Sequence, residues 1–194
     1  MALVDRVQKI LTQPAAEWPV IAAEPATVGG LYTGYIMPLA AIPAIAALVL
    51  QVVFTHHVIA GVVGAAIAYV LSLVGVYAVS FIAAALAPSF GGANDQIQGL
   101  KWAAYSNTAA WVAGIANIIP IAGALVVLVG AVYTLYLYWL GTVPMMRVPQ
   151  DKAIGYAVVV IICAIVVYAV IAFAVDLVVA MFAVGSAITS GAIH

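Results

Sequence analysis

Long apolar tracts separated by short polar segments dominate this sequence. The tracts cover about residues 33–54, 58–87, 102–140 and 153–185. Each reaches the ~20 apolar residues that an α-helix needs to cross the hydrocarbon core of a bilayer. Most charged side chains lie in the segments between the tracts or before the first of them. The alternation predicts an all-α fold, a polytopic bundle of membrane-spanning helices.

The N-terminal residues follow a different pattern, which predicts a short amphipathic helix over residues 3–12 that Pro14 ends. One face carries the apolar side chains Leu3, Val4, Val7, Ile10 and Leu11. The other face carries the polar side chains Asp5, Arg6, Gln8, Lys9 and Thr12. We expect this helix to lie in the membrane interface. The alternative is a helix packed on another cytoplasmic element.

The tract from Trp102 to Leu140 decides the number of crossings. One straight helix of that length would reach ~60 Å at 1.5 Å per residue, twice the hydrocarbon thickness of ~30 Å. Moderate tilt does not absorb such an excess. Asn117, Pro120 and Gly123 lie near the midpoint, which favours a tight helical hairpin within "ANIIPIAG". The alternative is one kinked helix followed by an interfacial segment.

The positions of the basic residues test the hairpin independently. Five crossings place every basic side chain on one side of the membrane, namely Arg6, Lys9, Lys101, Arg147 and Lys152. Four crossings would divide these residues between the two sides. The positive-inside rule therefore selects five spans, with the N-terminus cytoplasmic and the C-terminus outside.

The resulting organisation is a single membrane domain over residues 1–194. Residues 1–30 form its cytoplasmic or interfacial N-terminal part. The spans are expected at about residues 33–54, 58–87, 102–118, 121–140 and 153–180.

Composition supports an integral membrane protein. The chain is 68% hydrophobic and 6% charged, with a mean hydropathy of +1.28, whereas soluble domains carry about 25% charged residues. A net charge of −1 provides no basic field for nucleic acid, so we expect no nucleic-acid partner. Cys163 is the single cysteine, which excludes a disulfide within the chain.

No sequence motif of a familiar enzyme is present. The chain lacks a phosphate-binding glycine-rich loop ending in Lys-Ser or Lys-Thr, and it lacks HExxH, GxSxG and cysteine pairs at metal-binding spacing. We therefore expect no catalytic residues, no cofactor and no metal site.

Three polar side chains within the apolar tracts form a candidate intramembrane site: Asp176, Asn107 and Asn117. An ionised carboxylate is costly in a bilayer, so Asp176 is a functional candidate by default. Counting ~20 residues from Ala153 places it near the outer boundary, where it could simply reach water. The two asparagines could equally form hydrogen bonds between helices.

Seven charged side chains on the predicted cytoplasmic side form a candidate docking face for a partner protein or for anionic headgroups. They are Glu17, Glu24, Asp95, Lys101, Arg147, Asp151 and Lys152. The alternative is a solvated surface with weak, exposed ion pairs.

Three stretches carry a family resemblance: "PAAEWPVIAAEPATVGGLYTGYIMPLAAI", "LKWAAYSNTAAWVAGIANIIPIAGAL" and "YLYWLGTVPMMRVPQDKAIGYAVVVII". Together with the tract Arg147–Ala153, they resemble the Yip family of Ypt/Rab-interacting membrane proteins, especially its bacterial branch, over about residues 14–170. The resemblance implies five spans, a cytoplasmic N-terminus and, for the bacterial branch, the inner membrane. Eukaryotic relatives bind small GTPases through long N-terminal regions and act in vesicle traffic. Only residues 1–30 precede the first predicted span here, and Ala109 replaces a family proline, so GTPase binding is not expected.

Two functional hypotheses remain. The first is a non-enzymatic scaffold of the Yip family that organises the bilayer or partner proteins, in a role related to trafficking. Its partners would be the lipid bilayer, a second copy of the chain, or another membrane or cytoplasmic protein. The alternative is a small oligomeric transporter or channel, for which the intramembrane polar side chains are few.

Overall fold

A computed structural model describes residues 2–55, 58–119 and 121–191, and this part of the chain is all-helical. Its α-helices are α1 Leu3–Thr12, α2 Pro14–Ala23, α3 Val28–Leu31, α4 Met37–Thr55, α5 Val58–Leu86, α6 Gln96–Ser106, α7 Thr108–Ala113, α8 Ala122–Met146 and α9 Gln150–Gly191. A π-helical turn, Tyr32–Ile36, joins α3 to α4. Two 3₁₀ segments, Ala87–Phe90 and Gly114–Ile118, follow α5 and α7.

Four helical segments of the described chain are long and apolar enough to cross a membrane. They are Val28–Val53, Gly61–Phe90, Ala122–Met146 and Gln150–Met181. A helix satisfies its own backbone hydrogen bonds, so such segments are stable in lipid. Their outward faces carry large apolar side chains, among them Phe81, Val129 and Phe173. The predicted helical membrane bundle is confirmed at this level, with four such segments where five crossings were predicted.

The segment 96–118 forms the centre of the bundle although it is not one long helix. Every side chain from Gly99 to Ser106 is buried, and α6 packs between α5 and α8. The helix is interrupted at Asn107, which divides the segment into α6, α7 and a 3₁₀ turn. The Nδ2 of Asn107 donates to the Ala103 carbonyl, and the hydroxyl of Thr108 donates to the Tyr105 carbonyl. Such side-chain bonds to backbone carbonyls bend or interrupt helices.

The chain reverses direction immediately after this segment. The amide of Ile119 donates to the Ala116 carbonyl, and the amide of Gly123 donates to the Ile119 carbonyl. Ile121 has a φ of 66°, a value that continues no helix. The turn predicted within "ANIIPIAG" is therefore observed, although Pro120 itself lies outside the described residues.

After the turn, α8 runs antiparallel along the central segment in close contact. Gly123 lies against Ala116, and Gly130 lies against Ala113 and Ala109. A Cβ added to Gly123 would stand 1.9 Å from the carbonyl oxygen of Ala116. These glycines let the two backbones approach as small residues do at helix contacts in membranes.

The N-terminal helices α1 and α2 form a short hairpin packed on α7 and α8. The helix predicted over residues 3–12 is present as α1, and its location in the membrane interface stays a prediction. Arg6 was expected on the polar face of this helix, but it is only 5% exposed. Val4 on the apolar face is exposed, as a side chain that contacts lipid would be.

Two predicted span ends also differ from the helices. The helix predicted to end at residue 140 continues to Met146, and the last helix continues beyond residue 180 to Gly191. The first extension contains Pro144, which removes one helical hydrogen bond without ending the helix.

We expect Gly123→Ala to lower the free energy of unfolding by about 1–3 kcal/mol, because the added methyl group overlaps the Ala116 backbone. Thermal unfolding of the purified protein in mild detergent measures this change. Gly34→Ala is the matched control, since a Cβ at Gly34 meets nothing within 4 Å. Equal melting temperatures for the two variants would contradict the close helix pair.

Candidate functional site

A cluster of buried charges lies where α1, α2 and α6 meet. The guanidinium of Arg6 forms ion pairs with the carboxylates of Glu17 and Glu24. Arg6 and Glu17 are each only 5% exposed. The turn at Gln13 and Pro14 folds α2 back along α1, so that a residue in the middle of α1 faces the first turn of α2.

Lys101 of α6 is the second cation of this cluster. It is 2% exposed, and its Nζ donates to the carbonyl of Ile21 at 2.9 Å and to the carbonyl of Glu24. These carbonyls belong to the end of α2, where a helix has no further backbone donors. Gln98 adds a third bond there, from its Nε2 to the Ala22 carbonyl at 2.9 Å. A cation at this position also interacts favourably with the helix dipole.

Burial and charge act in opposite directions on the two cations. Burial lowers the pKa of Lys101, and the nearby carboxylates of Glu24 and Asp95 oppose that shift only in part. Burial also lowers the pKa of Arg6, but the hydrogen bond and charge of Glu24 and the charge of Glu17 outweigh it, so that this pKa is raised. The guanidinium also lies 5.8 Å from the centre of the Tyr105 ring, within the range of a cation–π contact.

A cavity of about 440 Å³ borders the cluster. Its polar lining includes the side chains of Glu24, Thr27, Lys101 and Tyr105, and its apolar lining includes Ile21 and Leu31. The cavity therefore presents both a cation and a carboxylate beside an apolar surface.

The predicted docking face separates into two groups. Glu17 and Lys101 are buried, so neither lies on an open charged surface, although Lys101 lines the cavity. Asp95 caps α6 by accepting hydrogen bonds from the amides of Ile97 and Gln98. The side chain of Glu24 is partly exposed.

The exposed group is Arg147, Asp151 and Lys152, between α8 and the first turn of α9. Arg147 ends α8 in the left-handed region, with a φ of 55°. Docking by these residues stays a prediction.

Arg6 was missed as a member of the site. Its helix pattern placed it on the water-facing side, because charged residues are assigned to the polar face by default. The acidic residues Glu17 and Glu24 in the next helix were the signal available, yet neither identifies its cation without the fold.

The three candidate intramembrane polar residues do not form one site. Asn107 is buried and its Nδ2 donates to the Tyr138 hydroxyl at 3.0 Å, which confirms its predicted hydrogen bond between helices. Asn117 lies in the 3₁₀ turn at the far end of the same segment, and Asp176 is exposed on α9. Within the described residues, the side chains of Asn117 and Asp176 form no hydrogen bond and no ion pair.

The polar groups near Asn107 instead join neighbouring helices. The hydroxyls of Tyr35 and Thr108 lie 2.6 Å apart, and the hydroxyl of Thr134 accepts the Ala110 amide at 3.1 Å. A mostly apolar cavity of about 300 Å³ borders this network, between α7, α8 and α9. Sequence alone did not identify Tyr35, Thr108 or Thr134, because short polar residues in apolar tracts carry no signal of their partners.

The described part of the chain contains no group of three or more His, Cys, Asp or Glu side chains that could hold a metal ion.

The comparison with protein families gives one result. The family model for the Yip1 domain matches residues 9–172, which include Glu17, Glu24 and Lys101 of the charged cluster but not Arg6, together with the central segment and α8. No curated protein and no solved structure matches the chain.

We expect Arg6→Met to lower the free energy of unfolding by about 3–5 kcal/mol, because it leaves the Glu17 carboxylate buried without a partner. Thermal unfolding in mild detergent measures the loss. Lys9→Met on the exposed side of α1 is the matched control and should change stability little.

The double variant Arg6→Met/Glu17→Leu should recover most of that stability, since it removes both buried charges. A double variant as unstable as Arg6→Met would contradict the assigned pairing.

Proposed function

Because the chain belongs to the Yip1 domain family, we propose that it is a non-enzymatic membrane scaffold that organises the bilayer or partner proteins. The observation that carries this proposal is that Arg6 joins α1 to α2 and Lys101 joins α2 to α6. We define the platform as α1, α2 and residues 146–152 at the end of α8, the helix on which α2 packs. Arg147, Asp151 and Lys152 remain exposed on it.

We further propose five crossings, with the N-terminus cytoplasmic and the C-terminus outside, in a bacterial inner membrane. The central segment would be the third crossing, over about residues 102–118, although its break at Asn107 makes each helical piece short. The contact of this segment with α8 from Trp102 to Ala116 supports a full crossing. The Nε1 of Trp102 donates to the Tyr138 carbonyl near one end, and Gly123 meets Ala116 at the other.

The clustering of polar connections at one end of the bundle supports this orientation. The amide of Ala93 donates to the Met146 carbonyl at 3.0 Å, and Gly91 lies against Pro149. The loop after α5 therefore meets the loop after α8. Lys101, in the middle of α6, joins this helix to the end of α2. The basic residues would then face one aqueous compartment, as the positive-inside rule requires.

Single-cysteine labelling in intact cells tests the five crossings. In a Cys163→Ala background, Ile121→Cys should react with a membrane-impermeant maleimide added outside, because Ile121 is 89% exposed at the turn. Asn94→Cys should react only after the cells are opened. Labelling of Asn94→Cys from outside, or protection of Ile121→Cys, would contradict this topology.

The function of the platform is tested by reversing its exposed charge. Arg147→Glu/Lys152→Glu should reduce the cross-linking of partner proteins in native membranes by about tenfold or more while leaving thermal stability unchanged, since both residues are exposed. Unchanged cross-linking in the double variant would contradict docking through this surface.

A flux assay separates the scaffold from the transporter alternative. Asp176→Asn should leave both partner cross-linking and solute flux in proteoliposomes at the level of the unmodified protein. Solute flux that depends on Asp176 would favour a transporter or channel instead. A second copy of the chain as the cross-linked partner would identify a homo-oligomeric scaffold.

A further inference from the structure

The cavity beside Lys101 borders the start of an apolar segment that is long enough to cross a membrane. Its lining comes from the end of α2, from the first residues of the apolar segment Val28–Val53 and from α6. An apolar segment that crosses a bilayer begins where the hydrocarbon core meets the headgroup region. A cavity at the start of this segment would lie at the depth of the lipid headgroups whether the chain crosses the membrane four or five times.

The ammonium group of Lys101, the cation that lines the cavity, has one N–H donor without a partner in the described part of the chain. An ammonium group has three N–H donors, and Lys101 uses two of them on the carbonyls of Ile21 and Glu24. Both acceptors are neutral groups, so the positive charge of Lys101 has no direct ion pair among the described residues. An anionic group in the cavity would complete the set of partners.

The carboxylate of Glu24, the anion that lines the cavity, also has acceptor positions that no donor of the described residues occupies. The Glu24 side chain is 43% exposed, in contrast to the 7% of Glu17, although both pair with Arg6. Two carboxylate oxygens offer about four acceptor positions, and Arg6 reaches Glu24 through a single nitrogen, NH2. The carboxylate can therefore accept hydrogen bonds from a ligand cation.

The balance of charge favours a ligand that carries both signs. Arg6 and Lys101 are opposed by Glu17 and Glu24, and Asp95 also acts on Lys101. A ligand with only negative charge would meet the Glu24 carboxylate, and one with only positive charge would meet the Lys101 ammonium. A zwitterion can place each of its charges against the opposite one.

We propose that this cavity binds the phosphoethanolamine headgroup of a phospholipid, with its phosphate at Lys101 and its ammonium at Glu24. A volume of about 440 Å³ lies within the ~300–1,000 Å³ of small-molecule sites. The apolar side chains of Ile21 and Leu31 line the same cavity and provide a surface for the adjoining glycerol and acyl groups.

The Glu24 carboxylate should also bind ethanolamine headgroups in preference to choline headgroups. A primary ammonium donates hydrogen bonds to a carboxylate, whereas the trimethylated ammonium of choline has no N–H. Hydrogen bonds to charged groups are among the stronger ones in proteins. Ethanolamine phospholipid should therefore be retained about tenfold more strongly than choline phospholipid with the same acyl chains.

Native mass spectrometry of the full chain in mild detergent tests this preference. The protein is delipidated and titrated with phosphatidylethanolamine, phosphatidylcholine or phosphatidylglycerol of identical acyl chains. We expect the apparent affinity for phosphatidylethanolamine to exceed the other two by about tenfold. Equal binding of all three lipids, or stronger binding of phosphatidylglycerol, would overturn the proposal.

Two variants locate the binding without removing the structural bonds of Lys101. Glu24→Gln keeps the side-chain size and should abolish the preference for ethanolamine over choline. Ala26→Phe fills the cavity that Ala26 lines and should reduce the affinity for phosphatidylethanolamine about tenfold. Asp151→Asn and Ala23→Phe are the matched controls, since both residues are exposed and neither lines the cavity.

A preference that survives both Glu24→Gln and Ala26→Phe, in variants whose melting temperatures remain near that of the unmodified protein, would place the lipid elsewhere and overturn the assignment. A final experiment tests whether the ligand is the intact phospholipid or its free headgroup. O-phosphoethanolamine at millimolar concentration should fail to displace the phospholipid, because it lacks the groups that contact Ile21 and Leu31. Full displacement would indicate a site for a soluble metabolite and would overturn the lipid as the ligand.

Discussion

The pairing of buried charge around Arg6 is the interaction on which the position of the N-terminal helices depends. A charge removed from water is tolerated only when an opposite charge and hydrogen bonds replace the lost solvent. Arg6 therefore holds Glu17 and Glu24 together, and α1 and α2 with them. The buried ammonium of Lys101 also needs hydrogen-bond partners, and it donates to the carbonyls of Ile21 and Glu24 at the end of α2. These bonds hold α6 against α2. The cluster leaves Glu24 partly exposed, which allows a structural contact to border a ligand site.

The central segment follows the same physical rule at greater depth in the bundle. Its interruption at Asn107 would leave polar groups unpaired in lipid, where each would cost several kcal/mol. The structure pairs Asn107, Thr108 and the Ala110 amide with Tyr138, Tyr35 and Thr134 on the surrounding helices. Among the described residues, the buried hydroxyl of Ser106 has no partner. An interrupted helix with polar side chains is therefore tolerated in this segment only because the surrounding helices enclose it. This enclosure also explains why the polar residues of the apolar tracts act as links between helices.

Much of the fold could be predicted from the sequence, and the site could be predicted only in part. Apolar length identified the long helices, and the position of Asn117 and Gly123 identified the reversal that the structure contains. Arg6 was assigned to the polar face of α1 but is buried, because helical periodicity assumes that water is the only partner of a charge. Lys101 and Glu17 were assigned to one side of the membrane from the order of the spans, which does not show whether a side chain is buried against another helix.

Local composition and the length of the apolar tracts were enough to predict that the chain lies in a membrane and approximately where its apolar helices end. The tertiary structure alone decided which charges are buried, since the partner of Arg6 lies eleven residues away and the carbonyls bound by Lys101 about eighty. It also decided that Glu24 retains unoccupied acceptor positions beside a cavity. Pairing over such separations requires the helices to be packed, and no local pattern records it.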